Sequence, residues 1–328
     1  MKRIFICEFI TCGGMRDSDL PVSLLDDAEC MFQALLSDLR QIACLDIITC
    51  RDDRLSAVAE SVARITEADD VWLQWKNCMD MADIVWIIAP ETDGILLRLN
   101  KLARQSDCLL IACDDDAVIL TSSKYATNEH LIKNGIPASL SKKLNEELIP
   151  GDGAWVIKPD DGVGSERCHF FETNTEILSW MQEIEDNSQY LQQRYIPGIP
   201  ASLSVVYADH ETLLLSCNRQ VMTLKQGKFF NEGIVLNDMH EHHAEFETLA
   251  REIGKHIPGL RGYVGIDVVM SDTGPIVLDI NPRLTKSYVG LSKLLDVNIA
   301  ELTINLLLYP VRVKPEGNHQ KFMMQSEF

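Results

Sequence analysis

The sequence is short of positive charge. Lysine and arginine number 30 against 49 aspartates and glutamates, a formal net charge of −19. That balance excludes the basic footprint on which nucleic-acid and anionic-membrane binding depend, but it permits an anionic small molecule held by a few local cations. The ten cysteines contain no CxxC pair, so neither a zinc ribbon nor a thioredoxin-type motif is present. They sit mostly in apolar runs, where cysteine acts as a small hydrophobe, which implies reduced thiols and a cytoplasmic setting. No apolar run approaches the length of a membrane span. The opening MKRIFICEFI begins with a basic pair, but Glu8 interrupts the apolar run too early for a secretory leader. There is no internal repeat, no low-complexity linker and no GxSxG nucleophile element.

What is present is a chain of 328 residues that is 46% hydrophobic, enough for two or three domains with cores of their own. Residues 1–120 alternate short apolar runs (RIFICEFI, DIITC, ADIVWIIAP, CLLIAC) with helical patterns (VSLLDDAECMFQALLSDL, DGILLRLNKLARQ). A β-α-β-α-β-α-β order predicts a Rossmann-like, doubly wound parallel sheet, which binds ligands at the carboxyl ends of its strands. Glu8, Gly13 and Gly14 follow the first strand, and Glu91, Asp93 and Gly94 follow another. From Thr121 the character changes to an α+β pattern: a capped helix, then AWVIKPDDGVGSERCHFF as two strands around a Gly-rich turn. Further antiparallel strands and a final helix, NIAELTINLLL, follow. The divisions expected are 1–120, 121–195, 196–314 and a polar, frayed tail, 315–328.

Within GYVGIDVVMSDTGPIVLDINPR, a three-residue hairpin loop at Asp272, Thr273 and Gly274 would place Asp267 directly opposite Asp279. Asn281 would share their face, and Ile266, Val268, Leu278 and Ile280 would form the core face. Two opposed carboxylates repel unless a cation joins them, and a set of oxygen donors suits Mg2+ or Mn2+. Upstream, Lys158 ends a strand and leads into Gly162-Val163-Gly164-Ser165, a turn whose backbone N–H groups could approach a phosphate. Lys124 opens the preceding helix, and Arg283 follows the acidic hairpin. In MHEHH, His240 and His242 have no acid or cysteine at a diagnostic spacing and read as a solvated helix start.

Two lysines, a Gly-rich loop, paired acids and an Asn-Pro-Arg, in this order, resemble the ATP-grasp superfamily of carboxylate–amine ligases over essentially the whole chain. The resemblance implies an ATP-grasp fold behind the Rossmann-like domain. It implies Lys124, Lys158 and the loop Gly162 to Ser165 on the ATP phosphates, and Gln193, Arg194, Tyr195 and Ile196 of LQQRYIPG at the adenine. Asp267, Asp279 and Asn281 become metal ligands, and Arg283 meets phosphate. Here Asp279 replaces the family's more usual Glu, Gln193-Arg194 replaces Gln-Glu, and the arginine often found before the first metal acid is missing; Arg219 is the candidate to stabilise the transferred phosphoryl group in its stead. CEFITCGGM, WIIAPETDGIL, LLLSCNRQ and GIVLN resemble the tyramine–glutamate ligase branch associated with methanofuran-type cofactors. The implied partners are a small carboxylate and an amine; the strand ends of the first domain offer Glu8, Gly13, Gly14 and Glu91 to substrate, with Glu8 and Glu91 the acids expected to meet the amine. A different acceptor and a non-catalytic ATP-binding protein stand as alternatives, and the sequence leaves open whether the chain is a monomer or a homo-oligomer.

Overall fold

The protein is described from a computed structural model covering residues 1–144, 148–162, 167–184, 186–209, 211–308 and the backbone of 322–325. The first sheet grows from strands whose two faces are both apolar. In β1 (Lys2–Glu8), Ile4 and Ile6 enter one core while Phe5 and Cys7 enter another. Continuous burial of this kind belongs to a parallel sheet covered on both sides. After α1 (Val22–Leu39) come β2 (Leu45–Asp52), β3 (Ser61–Ile65) and α2 (Val71–Asp80), which Asp70 caps by accepting from Trp72 and Leu73 N–H. Next are β4 (Ile84–Ile88), α3 (Ile95–Ala103), β5 (Leu109–Ile111) and α4 (Asp115–Thr121). The order is β3-β2-β1-β4-β5, all parallel. The β-α alternation expected is broken once: β3 was not foreseen, and it joins β2 with no helix between them. The order reverses between β1 and β4, so their carboxyl ends, Glu8 and the segment at Glu91, flank one crevice.

The second half begins with α5 (Lys124–Lys133), capped by the Ser123 hydroxyl on Ala126 N–H. A small α+β unit follows: β6 (Ser141–Lys143), β7 (Trp155–Pro159), β8 (His169–Phe171), α6 (Asn174–Met181) and β9 (Tyr190–Arg194). Its own core gathers Leu144, Trp155, Ile157 and Ile177. The larger antiparallel part holds β10 (Ile199–Ala208), β11 (Glu211–Lys225), β12 (Lys228–Leu236), α7 (His243–His256), β13 (Gly262–Ser271) and β14 (Gly274–Asn281). α8 (Leu291–Leu295) and α9 (Ile299–Leu308) follow. The strands run β14-β13-β10-β11-β12-β8-β7-β9-β6. One face of β10, β11 and β13 packs on α7. The other is polar toward Asn281 and apolar lower down, where Tyr263 and Tyr288 meet α1 and α9. Within the tail expected to be frayed, β15 (Phe322–Gln325) pairs antiparallel with β12, Leu236 opposite Phe322, along a backbone edge of β12.

Candidate nucleotide and metal site

The acidic hairpin meets the expected register by a different route. Ser271 pairs with Gly274, so the loop is two residues, Asp272 and Thr273, and not three. Gly274 takes φ +110°, and the Ser271 hydroxyl accepts from Thr273 N–H and donates to Gly274 O at 2.8 Å. That shorter loop alone would slip every later pair by one and turn Asp279 away from Asp267. A bulge restores the offset: Val268 faces Val277, Asp267 faces Asp279, and Leu278 is left unpaired. Val277 therefore takes the core position expected for Leu278, which is half-buried.

Asp267 accepts from Gln220 Nε2 at 2.7 Å and Asn281 Nδ2 at 3.2 Å. Burial, reinforced by the facing charge of Asp279, pushes its carboxyl up to about 6. Lys124 Nζ lies 3.1 Å from Asp279 Oδ2 and donates to Gly162 O at 2.7 Å. Burial opposes the Lys124 charge, but Asp279 outweighs it and raises the ammonium above its ordinary value. Lys158 is also buried; burial, with the like charge of Lys124, carries it below the ordinary value despite Asp279. The lysines and acids thus form one alternating cluster in which Lys124 relieves the repulsion of the opposed carboxylates. The donor set fits a hard cation: two carboxylates and an amide oxygen, with ligand phosphates completing the shell. Val163, Gly164 and Ser165 lie outside the described residues.

One face of the small α+β unit sets apolar side chains beside buried polar atoms. Val156 pairs with Gln193 and with Phe170, and so shares their face, two residues from Lys158. Gln193 Nε2 and the hydroxyl of Ser141, directly opposite it, are buried and find no hydrogen-bond partner among the described residues. A flat heteroaromatic ring with hydrogen-bonding edges fits apolar walls bounded by orphaned polar atoms. Arg194 turns away: its guanidinium donates to Asp152 O at 3.1 Å and lies over the Trp155 ring at 5.3 Å. Tyr195 stacks near Phe229 and meets Phe170 edge-on, while Ile196 is half-buried.

Several sequence expectations land elsewhere. Arg219 pairs with Ala201, whose other neighbour is Val268, so it lies on the sheet face opposite Asp267 and bonds Asp238 at 2.5 Å. Alternation gives the site face to its neighbours Asn218 and Gln220, and Gln220, which the sequence reading passed over, is the residue that reaches Asp267. At Gly265, two residues before Asp267, a Cβ would meet Thr285 Cγ2 at 2.5 Å, so Thr285 takes the space a side chain there would need. Glu91 and Arg283, expected on an amine and on phosphate, bond each other, with Nε 3.0 and 3.1 Å from the two carboxylate oxygens. Glu8 caps the turn after β1, accepting from Thr11 N–H at 2.7 Å, and burial raises its carboxyl to about 7. Gly13 and Gly14 are explained by packing: Cβ atoms there would approach Ile65 at 2.7 Å and Phe9 at 2.4 Å. His240–His242 form a 3-10 turn ahead of α7, and among the described residues no trio of His, Cys, Asp or Glu is disposed to hold a metal.

Comparison with known proteins gives the same frame. Residues 45–118 match the pre ATP-grasp 3 domain. The tyramine–L-glutamate ligase of Methanocaldococcus jannaschii is 24% identical over 309 residues, 93% of this chain and 89% of that protein. The enzyme of the same name from Methanocaldococcus fervens is 26% identical, covering 92% of each. The solved structure of an L-amino acid ligase from Bacillus licheniformis superposes with a TM-score of 0.68 at 13% identity, over 95% of this chain and 75% of that one. Since residues 121–287, half of the chain, match the ATP-grasp domain, the chain belongs to the ATP-grasp family of ligases.

Proposed function

We propose that the protein joins glutamate to an aromatic amine of the tyramine or tyrosine kind, at the expense of ATP and through an acyl phosphate, as a step in making a methanofuran-type cofactor. The observation that carries the reading is the cluster of Asp267, Asp279, Lys124 and Lys158. It offers two anionic groups for a cation and two cationic groups for phosphates, which phosphoryl transfer to a carboxylate requires. Mg2+ held by Asp267, Asp279 and Asn281 would neutralise charge on the β- and γ-phosphates. Lys158 and Lys124 would orient the phosphates, and Gln193 and Ser141 would give the base its polar partners. The similarity to two tyramine–L-glutamate ligases over 92–93% of the chain supports the choice of substrates.

Coupled ADP release over a panel of carboxylates and amines, with products identified by mass spectrometry, tests the reading. Glutamate with tyramine or tyrosine should give ADP and an amide in equal amounts. ATP binding without ADP release for every pair would identify a non-catalytic nucleotide-binding protein. ADP release with a thiol in place of the amine, giving a thioester, would reassign the acceptor.

A further inference from the structure

Three segments distant in sequence meet at the short connection between β4 and α3. Glu91 and Arg283 are both buried, their side chains 8% exposed each, so their ion pair crosses from the first domain to the exit of the acidic hairpin. The next residue, Thr92, donates its hydroxyl to Asp161 O at 2.9 Å, at the entry to the Gly-rich segment. Asp160 beside it clasps the start of α5: its carboxylate accepts from Tyr125 N–H and from the Ser123 hydroxyl, each at 2.8 Å. Gly162 O then receives Lys124 Nζ. Residues Asp93 and Gly94 both adopt positive φ, +55° and +67°, a conformation that is uncommon for a non-glycine residue and persists when its surroundings hold it.

We propose that Glu91 and Thr92 are positioning residues that lock the first domain to both halves of the phosphate site: Glu91 sets the plane of the Arg283 guanidinium, and Thr92 sets the strand end from which the Gly-rich segment leaves. The inference rests on the ligase reading for what Arg283 meets, and on geometry alone for the lock. Arg283 spends Nε on Glu91 and Nη1 on Leu284 O, at 3.3 Å. A planar group anchored at two nitrogens has a fixed orientation, and the rest of its fork is what can meet an anionic oxygen. Glu91 is therefore not an acid awaiting the amine; its charge is spent on a cation of the protein. A lock of this kind would align the acyl phosphate made on one side with the amine delivered from the other, where a small misplacement costs rate more than binding.

The test has two arms on the full chain. In the first, amide backbone exchange is compared in the wild type, Glu91→Gln and Thr92→Val, all without substrates. Glu91→Gln should speed exchange in residues 282–288 and leave 160–162 unchanged, and Thr92→Val should do the reverse, a division that general destabilisation would not produce. Unchanged exchange at both places overturns the lock, whatever the substrates are. In the second, steady-state kinetics compare Glu91→Gln, Glu91→Asp, Arg283→Lys and the double variant with glutamate and tyramine. Glu91→Gln should lower kcat about tenfold with the amine KM within about twofold of wild type, and the double variant should be no slower than its slower parent. A raised amine KM with kcat intact, or effects that multiply, overturns the positioning role. Failure of the wild type to form any amide sinks the ligase reading alone, and the exchange arm still decides the lock.

Discussion

Glu8 gives a prediction whose sign is set by burial. It is 3% exposed at the carboxyl end of β1, and the raised value of about 7, against an ordinary 4.5, means that the folded protein holds its proton where the unfolded chain has lost it. The folded state then binds more protons between pH 4.5 and 7, so the stability associated with Glu8 is fully present below the unfolded value and is lost as pH rises toward the folded one. At about 1.4 kcal/mol per pK unit the loss amounts to about 3 kcal/mol, reached near neutrality and constant above it. The Thr11 N–H bond softens the loss without cancelling it. Glu8→Gln copies the protonated form, since its amide oxygen can still accept from Thr11. Urea unfolding of both proteins from pH 4.5 to 8.5 is the assay, and the difference between them removes the contribution of all other groups. The curves should coincide near pH 4.5, and the variant should become the more stable by about 3 kcal/mol at pH 8. A constant difference across the range, or a wild type that gains on the variant as pH rises, refutes the argument and returns Glu8 to the ionised state expected of an amine-binding acid.

Asp279→Asn should keep the fold, since it removes a charge facing Asp267, yet lower turnover about 100-fold or more; wild-type activity across a Mg2+ titration would move the metal elsewhere. Lys158→Ala should weaken ATP binding by about 1.5–3 kcal/mol, the worth of a hydrogen bond to a charged group, and unchanged affinity by calorimetry would remove Lys158 from the site. Gly14→Ala should destabilise by about 1–3 kcal/mol in chemical denaturation, because the new methyl must displace the Phe9 ring 2.4 Å away, and an unaltered midpoint would show that the ring moves freely.

The sequence by itself determined what depends on local pattern. The alternation of short apolar runs with helical patterns announced a parallel sheet before residue 120, and Lys158, the Gly-rich turn and the acids around DTG announced an anion and cation site after it. Even so, the pairing of Asp267 with Asp279 was legible only because two departures cancel, a loop one residue shorter than expected and a bulge one residue long. Neither leaves a mark in the sequence: a bulge at Leu278 is chosen by the packing of Val277 and Ile280 into the core, not by residue type. Arg219 shows the complementary limit. Alternation along SCNRQ says that Arg219 and Gln220 point apart, but which of them faces the acids is fixed by β10, which lies between β11 and β13 and sets Asn218 against Ser202 and Ser202 against Asp267. Glu91 and Arg283 are 192 positions apart, and strand-end residues read one at a time are unpaired charges looking for ligands. Only the docking of the first domain on the hairpin makes them partners, because burying either charge alone would be costly and burying them together satisfies both.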